Sequence, residues 1–302
     1  MKALGLWIGL WAVALLPVSA QVTVEVTQDQ DQFLPGETMP TAVRITNRSG
    51  QSIHLGQEQD WLTFSVQGHG DEVVSKIADV PVVGEFVLES SRVATKRVDL
   101  APYFSLDHSG RYAINATVRI KDWNREITSP PRHFDIIEGA KLWEQEIGVP
   151  NSAAQTNATP EVRKFVLQQA NYIKAQLRLY ARVTDASGNR TIRVFPIGPM
   201  VSFGRPEAQV DKFSNLHVLC QEGFHAFRYT VINPDGEIIV RRIYDYVDKR
   251  PRLEPDTDGK VLVAGGVRRV TPSDIPPSVP ATPVEDVPKP LPSPGEMMPP
   301  AQ

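Results

Sequence analysis

One stretch constrains this chain more than any other: Phe224 to Tyr246, FHAFRYTVINPDGEIIVRRIYDY. Both halves are rich in β-branched and aromatic residues, which pack well on a pleated surface. Between them lies Asn233-Pro234-Asp235-Gly236. Pro234 presets φ at the second turn position, Asp235 suits the third, and Gly236 accepts the left-handed conformation that follows a type I turn. The pattern predicts a long β-hairpin closed by a three-residue loop with a bulge.

Counting outward from an Asn233/Glu237 pair sets an expected register. One face then carries Val231/Ile239, Tyr229/Arg241, Phe227/Ile243 and His225/Asp245. The other carries Ile232/Ile238, Thr230/Val240, Arg228/Arg242, Ala226/Tyr244 and Phe224/Tyr246. Both faces are partly apolar, so neighbours are expected on both. Arg228 and Arg242 fall directly opposite each other, where like charges are unfavourable unless something anionic lies between them. An acidic side chain from an adjacent strand, Asp211 or Glu207, would serve. So would a bound sulfate, phosphate or sugar acid gripped by two guanidinium forks. Arg228 and Arg242 are therefore the candidate binding residues.

The chain opens with an export signal. Lys2 supplies a positive start, Ala3 to Leu16 is apolar, and Val18-Ser19-Ala20 is a small-residue cleavage site. The apolar run is short for a bilayer crossing, which needs about 20 residues. No later segment is apolar enough to cross, so no membrane span is expected after cleavage. A periplasmic or secreted location follows, with a mature chain beginning at Gln21. One cysteine, Cys220, excludes an internal disulfide. That is ordinary for a periplasmic protein with a real core.

From Gln21 to Gly139 short alternating strands are separated by turn signals. Val43-Arg-Ile-Thr-Asn47 with Gly50, and Ser109-Gly-Arg-Tyr-Ala-Ile114, carry a resemblance to the Ig-like modules of bacterial secreted proteins. The second motif is similar to a tyrosine-corner strand, with Tyr112 near its start. The resemblance implies an antiparallel β-sandwich, without the cysteine pair of antibody domains, and no particular ligand.

Residues 140–160 read as a linker. From Glu161, Val162, Phe165, Val166, Ala170 and Ile173 fit a helical stripe, while Phe165-Val166-Leu167 fits a strand, so one short helix stays open. Ala175 to Val183 then alternate with period two. Turn signals recur at Gly188, at Phe213-Ser214-Asn215, at Gly236 and at Gly259, about 24 residues apart, so the repeat is one hairpin. Val210 to Leu219 is similar to the hairpins of extracellular β-propellers. A closed propeller needs more blades than residues 161–270 supply, so a two-blade fragment, a twisted meander or a small barrel is expected. Residues 271–302 are dense in proline and read as a disordered tail. The fold class is thus mainly all-β: an Ig-like sandwich followed by a hairpin meander.

Charge divides unevenly. Residues 21–140 hold about 11 basic and about 17 acidic residues; residues 161–270 hold about 18 and about 12. The two parts could dock on each other, or the basic one could meet an anionic partner. Nucleic acid does not suit an exported protein. An envelope protein or an anionic glycan does.

Catalytic chemistry is poorly supplied. His217 and Cys220 differ by three along a strand and point to opposite faces. His225 opposite Asp245 resembles the base and orienting groups of a triad, but no Gly-x-Ser-x-Gly supplies a nucleophile. Glu254-Pro-Asp-Thr-Asp-Gly259 departs from a calcium loop at its first and last ligands. No phosphate loop, dinucleotide fingerprint or metal-ligand spacing occurs, so neither cofactor nor metal is expected. The expectation is an exported, non-catalytic binding or scaffold protein of the cell envelope. A carbohydrate-acting enzyme and a self-associating assembly factor are the alternatives.

Overall fold

The structure is a computed structural model that describes residues 22–68, 73–149, 161–173 and 176–277. The signal segment 1–20, residues 150–160 of the expected linker and residues 278–302 of the expected tail lie outside the described residues. The described chain is nearly all β, with several antiparallel sheets and no closed barrel. None of its helices is long and apolar enough to cross a membrane.

The first part contains β1 (Val22–Gln28), β2 (Gln32–Phe33), β3 (Pro40–Asn47), β4 (Ile53–Leu55), β5 (Leu62–Gln67), β6 (Phe86–Leu88), β7 (Arg92–Asp99), β8 (Gly110–Ile120), β9 (Arg125–Thr128) and β10 (Arg132–Ile136). One main sheet runs β1-β3-β7, the other β2-β10-β8-β5 with β9 also on β8, and β4 pairs with β6 in a separate two-stranded sheet. The alternating valines and isoleucines of β1 and β3 bury one face against Phe64, Ile114, Val118 and Phe134 of the second sheet. This is the sandwich that period-two alternation dictates when one face of each sheet is apolar. The Tyr112 hydroxyl donates to the His108 carbonyl oxygen at 2.7 Å, locking the entry to β8.

The second part begins earlier than expected. Ala140–Gly148 is not linker but β11, paired along β12 (Val162–Ile173). Its apolar residues explain the correction: Ile147 is buried, and Leu142 and Trp143 pack beside it against Phe165 and Leu167. The ambiguous segment is likewise a strand. β12 lies inside its sheet between β11 and β13 (Gln176–Asp185), with Phe165 and Leu167 buried on one face and Ala170 on the other. Burial on both faces removes the alternation that marks a half-exposed strand.

The remaining strands are β14 (Thr191–Pro199), β15 (Glu207–Val210), β16 (Leu216–Gln221), β17 (Ala226–Ile232), β18 (Ile238–Asp245), β19 (Arg252–Pro255), β20 (Val261–Ala264) and β21 (Val267–Arg269). All four expected hairpins form: β13–β14, β15–β16, β17–β18 and β19–β20. Each turn places one residue at positive φ: Gly188, Ser214, Gly236 and Gly259. The hairpins do not close a barrel. Sheet β11-β12-β13-β14 stacks on sheet β15-β16-β17-β18-β21, sharing Phe165, Leu179, Val183, Leu216, Val218 and Ile232 in one core. The β19–β20 hairpin covers the outer face of the second sheet through Leu253 and Val261.

The Asn233–Gly236 turn has the expected form. Gly236 N–H donates to the Asn233 carbonyl, and Asn233 N–H to the Glu237 carbonyl. Gly236 has φ +79°, and a Cβ there would sit 3.1 Å from Arg193 Cβ and 3.2 Å from Val183 Cγ2. Gly236→Val should therefore cost roughly 1–2 kcal/mol in strain alone. An unchanged urea midpoint would reject this account of the turn.

Residues 271–277, read as the start of the tail, are ordered. Ile275 exchanges backbone hydrogen bonds with Arg241, and buried Asp274 pairs with Arg268 and accepts from the Thr271 hydroxyl. Proline density did not exclude order there, because two backbone bonds tie the segment to β18 and one buried carboxylate ties it to Arg268 of β21.

The two parts meet along a small seam. The turn Phe33-Leu-Pro-Gly-Glu37 lies on the outer face of the β11–β14 sheet. Leu34, 1 % exposed, packs with Ala170, Tyr180 and Val194, and Ile137 adjoins them. Glu37 makes a backbone bridge to Val194, and Arg182 donates to the Pro35 carbonyl at 2.9 Å. The Glu37 carboxylate is buried, accepting from Gln30 and from the Leu34 N–H. The acidic part thus meets the basic part at one carboxylate, near Arg178, but the contact is chiefly apolar.

Candidate functional site

The arginine site expected from the register does not form as drawn. Ile232 pairs with Ile238, but Val231 pairs with Val240, so Ile239 is left over as a bulge. Beyond it every pair slips by one: Thr230↔Arg241, Tyr229↔Arg242 and Arg228↔Ile243. A one-residue slip turns each side chain of β18 to the other face. Arg228 and Arg242 therefore lie on opposite faces of the sheet. Arg228 shares its face with Arg241, whose guanidinium is held below its usual value by burial and then by Arg228. The carboxylate at Arg228 is Glu222, 2.6 Å from Nη2 and 2.8 Å from Nε, rather than Asp211 or Glu207. The same slip separates His225 from Asp245, which instead pairs with Arg269 at 3.3 Å.

The other face carries a buried polar chain that the sequence reading missed. The turn Asp211-Lys-Phe-Ser-Asn215 folds onto its own first side chain: Asp211 Oδ1 accepts the N–H groups of Phe213 and Asn215, and Oδ2 accepts the Asn215 amide. His217 Nε2 lies 3.1 Å from Asp211 Oδ2, and Nδ1 lies 2.7 Å from the Tyr229 hydroxyl. With Nε2 donating to the carboxylate, Nδ1 can accept the phenolic hydrogen bond. Burial pushes the Asp211 carboxyl up, but the bonds from Asn215, His217 and Phe213 outweigh it and leave it below its usual range. Burial, with Tyr244 beside it, pushes Tyr229 up to about 12 despite Arg242.

The order carboxylate, imidazole, hydroxyl repeats that of a nucleophile triad, yet its hydroxyl is a buried phenol held neutral. It braces β15, β16 and β17 rather than presenting a reactive oxygen. The available signal was the six-residue step from Asp211 to His217 across a tight turn. Cys220 lies on the opposite face, as expected, and burial followed by Glu222 pushes its thiol up to about 12. Among the described residues no three His, Cys, Asp or Glu side chains gather as a metal site.

A groove lies in the first sandwich. β5 is the edge strand of its sheet, and beside it runs the segment Asp79-Val-Pro-Val-Val83. They enclose about 590 Å³, lined by Leu62, Thr63, Phe64, Lys76, Val80 and Val82 among others. The Trp61 indole N–H donates to the Val82 carbonyl at 2.8 Å and pins the far wall. Along a strand, backbone groups of successive residues point alternately to its two sides. The Trp61 carbonyl accepts from Arg119 of β8, and the Val66 carbonyl accepts from Val74 on the other side. Leu62 and Phe64 therefore turn their N–H and C=O groups outward, into the groove.

No protein-family model and no curated protein matches this chain. Among solved structures it is similar to the crystal structure of Spo0M, a sporulation control protein from Bacillus subtilis. Identity is 11 %, over 57 % of this chain and 83 % of that one, with a TM-score of 0.30, a likeness too slight to carry an argument.

Proposed function

We propose that this is an exported, non-catalytic binding and scaffold protein of the cell envelope. Its first sandwich takes an extended segment of an envelope protein along the open edge of β5. The carrying observation is the groove in which Leu62 and Phe64 present outward backbone groups beside apolar Val80 and Val82. An added strand finds main-chain partners on such an edge, and its alternate side chains find the apolar wall. The Ig-like reading of this sandwich is supported by its two-sheet topology and by the Tyr112–His108 bond. The seam at Leu34 supports a scaffold role, because it joins the sandwiches by more than a covalent link. Export rests on the apolar start and its Val-Ser-Ala site.

Val83, 83 % exposed on the groove wall, is the position for a test. A photo-crosslinking residue there should give a discrete protein adduct in the native host, and one at exposed Thr257 on the β19–β20 turn should not. No adduct at Val83, or the same adducts at both positions, would reject the groove as the binding site.

A further inference from the structure

The strand order gathers four connections at one end of the second sandwich. Glu207 pairs with Leu219, Gln221 with Phe227, Ala226 with Asp245, and Asp245 with Val267. Residues 200–206, 222–225, 246–251 and 265–266 therefore lie side by side. Hydrogen bonds tie them together: Val201 N–H to the Gln221 carbonyl, the Gln221 amide to the carbonyls of Gly223 and Phe224, and Tyr246 N–H to the His225 carbonyl. The His225 ring stands 4.4 Å from Phe224 and 6.2 Å from Tyr246, centroid to centroid.

This end is apolar where it meets solvent. Phe203 is 81 % exposed and Phe224 84 %, with Val247 and Val267 also exposed. Arg205, Lys249 and Arg250 are exposed around them. The carboxylates there are Glu222, which Arg228 neutralises, and Asp248. A soluble fold gains nothing by leaving two phenylalanines bare on neighbouring loops. Aromatic tips with a basic rim match a lipid interface, where rings settle at headgroup level and cations meet anionic lipid. We propose that this end docks on an anionic membrane surface without crossing it, with Phe203 and Phe224 entering the headgroup layer.

Co-sedimentation of the mature chain, beginning at Gln21, with vesicles tests this. Binding to vesicles of mixed phosphatidylglycerol and phosphatidylcholine should exceed binding to phosphatidylcholine alone, and should weaken with added salt. Phe203→Ser with Phe224→Ser should lower the partition by roughly tenfold per phenylalanine. Arg205→Glu with Lys249→Glu should remove most of the lipid and salt dependence. Both pairs are exposed, so thermal midpoints should stay within about 2 °C of the wild type. Equal sedimentation of the wild type and the phenylalanine variant would overturn the proposal, as would no binding to anionic vesicles. If the phenylalanine substitutions instead change only the oligomeric size in solution, the patch meets another protein copy and the lipid assignment is wrong.

Discussion

Leu34→Ala is expected to uncouple the two sandwiches. Leu34 is the apolar centre of the seam, enclosed by Ala170, Tyr180 and Val194. Truncating a fully buried leucine costs about 3 kcal/mol, from lost transfer energy and the cavity left behind. Each part has a core of its own, so the loss should fall on their docking. In calorimetry the wild type should unfold in one transition; the variant should show two, the first lower by roughly 5–10 °C. A single transition at the wild-type temperature would mean the seam contributes nothing. Glu37 adds a pH signature. Burial raises its carboxyl above the ordinary value of 4.5, with Leu34 N–H, Gln30 and Arg178 only partly offsetting it. A raised acid contributes its stability below the ordinary value and loses it as pH climbs through the raised one. Glu37→Gln should therefore gain on the wild type as pH rises from 4.5 toward neutrality.

Asp211→Ala should cost about 3 kcal/mol, because it removes two oxygens that together accept four hydrogen bonds, from Phe213, Asn215 and the buried His217. The milder Tyr229→Phe removes only the phenolic bond, at about 1 kcal/mol. The two act through one imidazole, so the double variant should depart from additivity by roughly 0.5 kcal/mol or more. Strict additivity of the urea midpoints would show that the chain is not a unit. The acid side also has a defined sign. Asp211 titrates below its ordinary value of 3.8 in the fold, so its contribution is present above that pH and is lost as pH falls through the folded value. The gap between the wild type and Asp211→Asn should close below about pH 3.8.

Hairpins were legible in the sequence because turn chemistry is local. Gly188, Gly236 and Gly259 supply positive φ where few other residues can, and the flanking β-branched residues need no distant information to favour strands. The first sandwich was legible for a related reason: its strands bury one face only, so Val22, Val24 and Val26 alternate openly. β12 hid because both of its faces are covered, and β11 because its apolar residues are few and interrupted by a bulge.

The candidate site was legible in residue type and illegible in placement. Arg228, Arg241 and Arg242 are all visible as strand cations, but which two share a face depends on one unpaired residue. Ile238, Ile239 and Val240 are equally suited to either alignment, so nothing local says which of them bulges. The Asp211–His217–Tyr229 chain needed the β16–β17 register, and the groove needed the edge position of β5. The sequence by itself determined the all-β class, the four turns and the alternating strands, since each is decided within a few residues of the chain. Only the tertiary structure decided the seam at Leu34 and Glu37, the face of each arginine and the open edge. Those are contacts between segments distant in sequence, and their free energy exists only once the sheets have stacked.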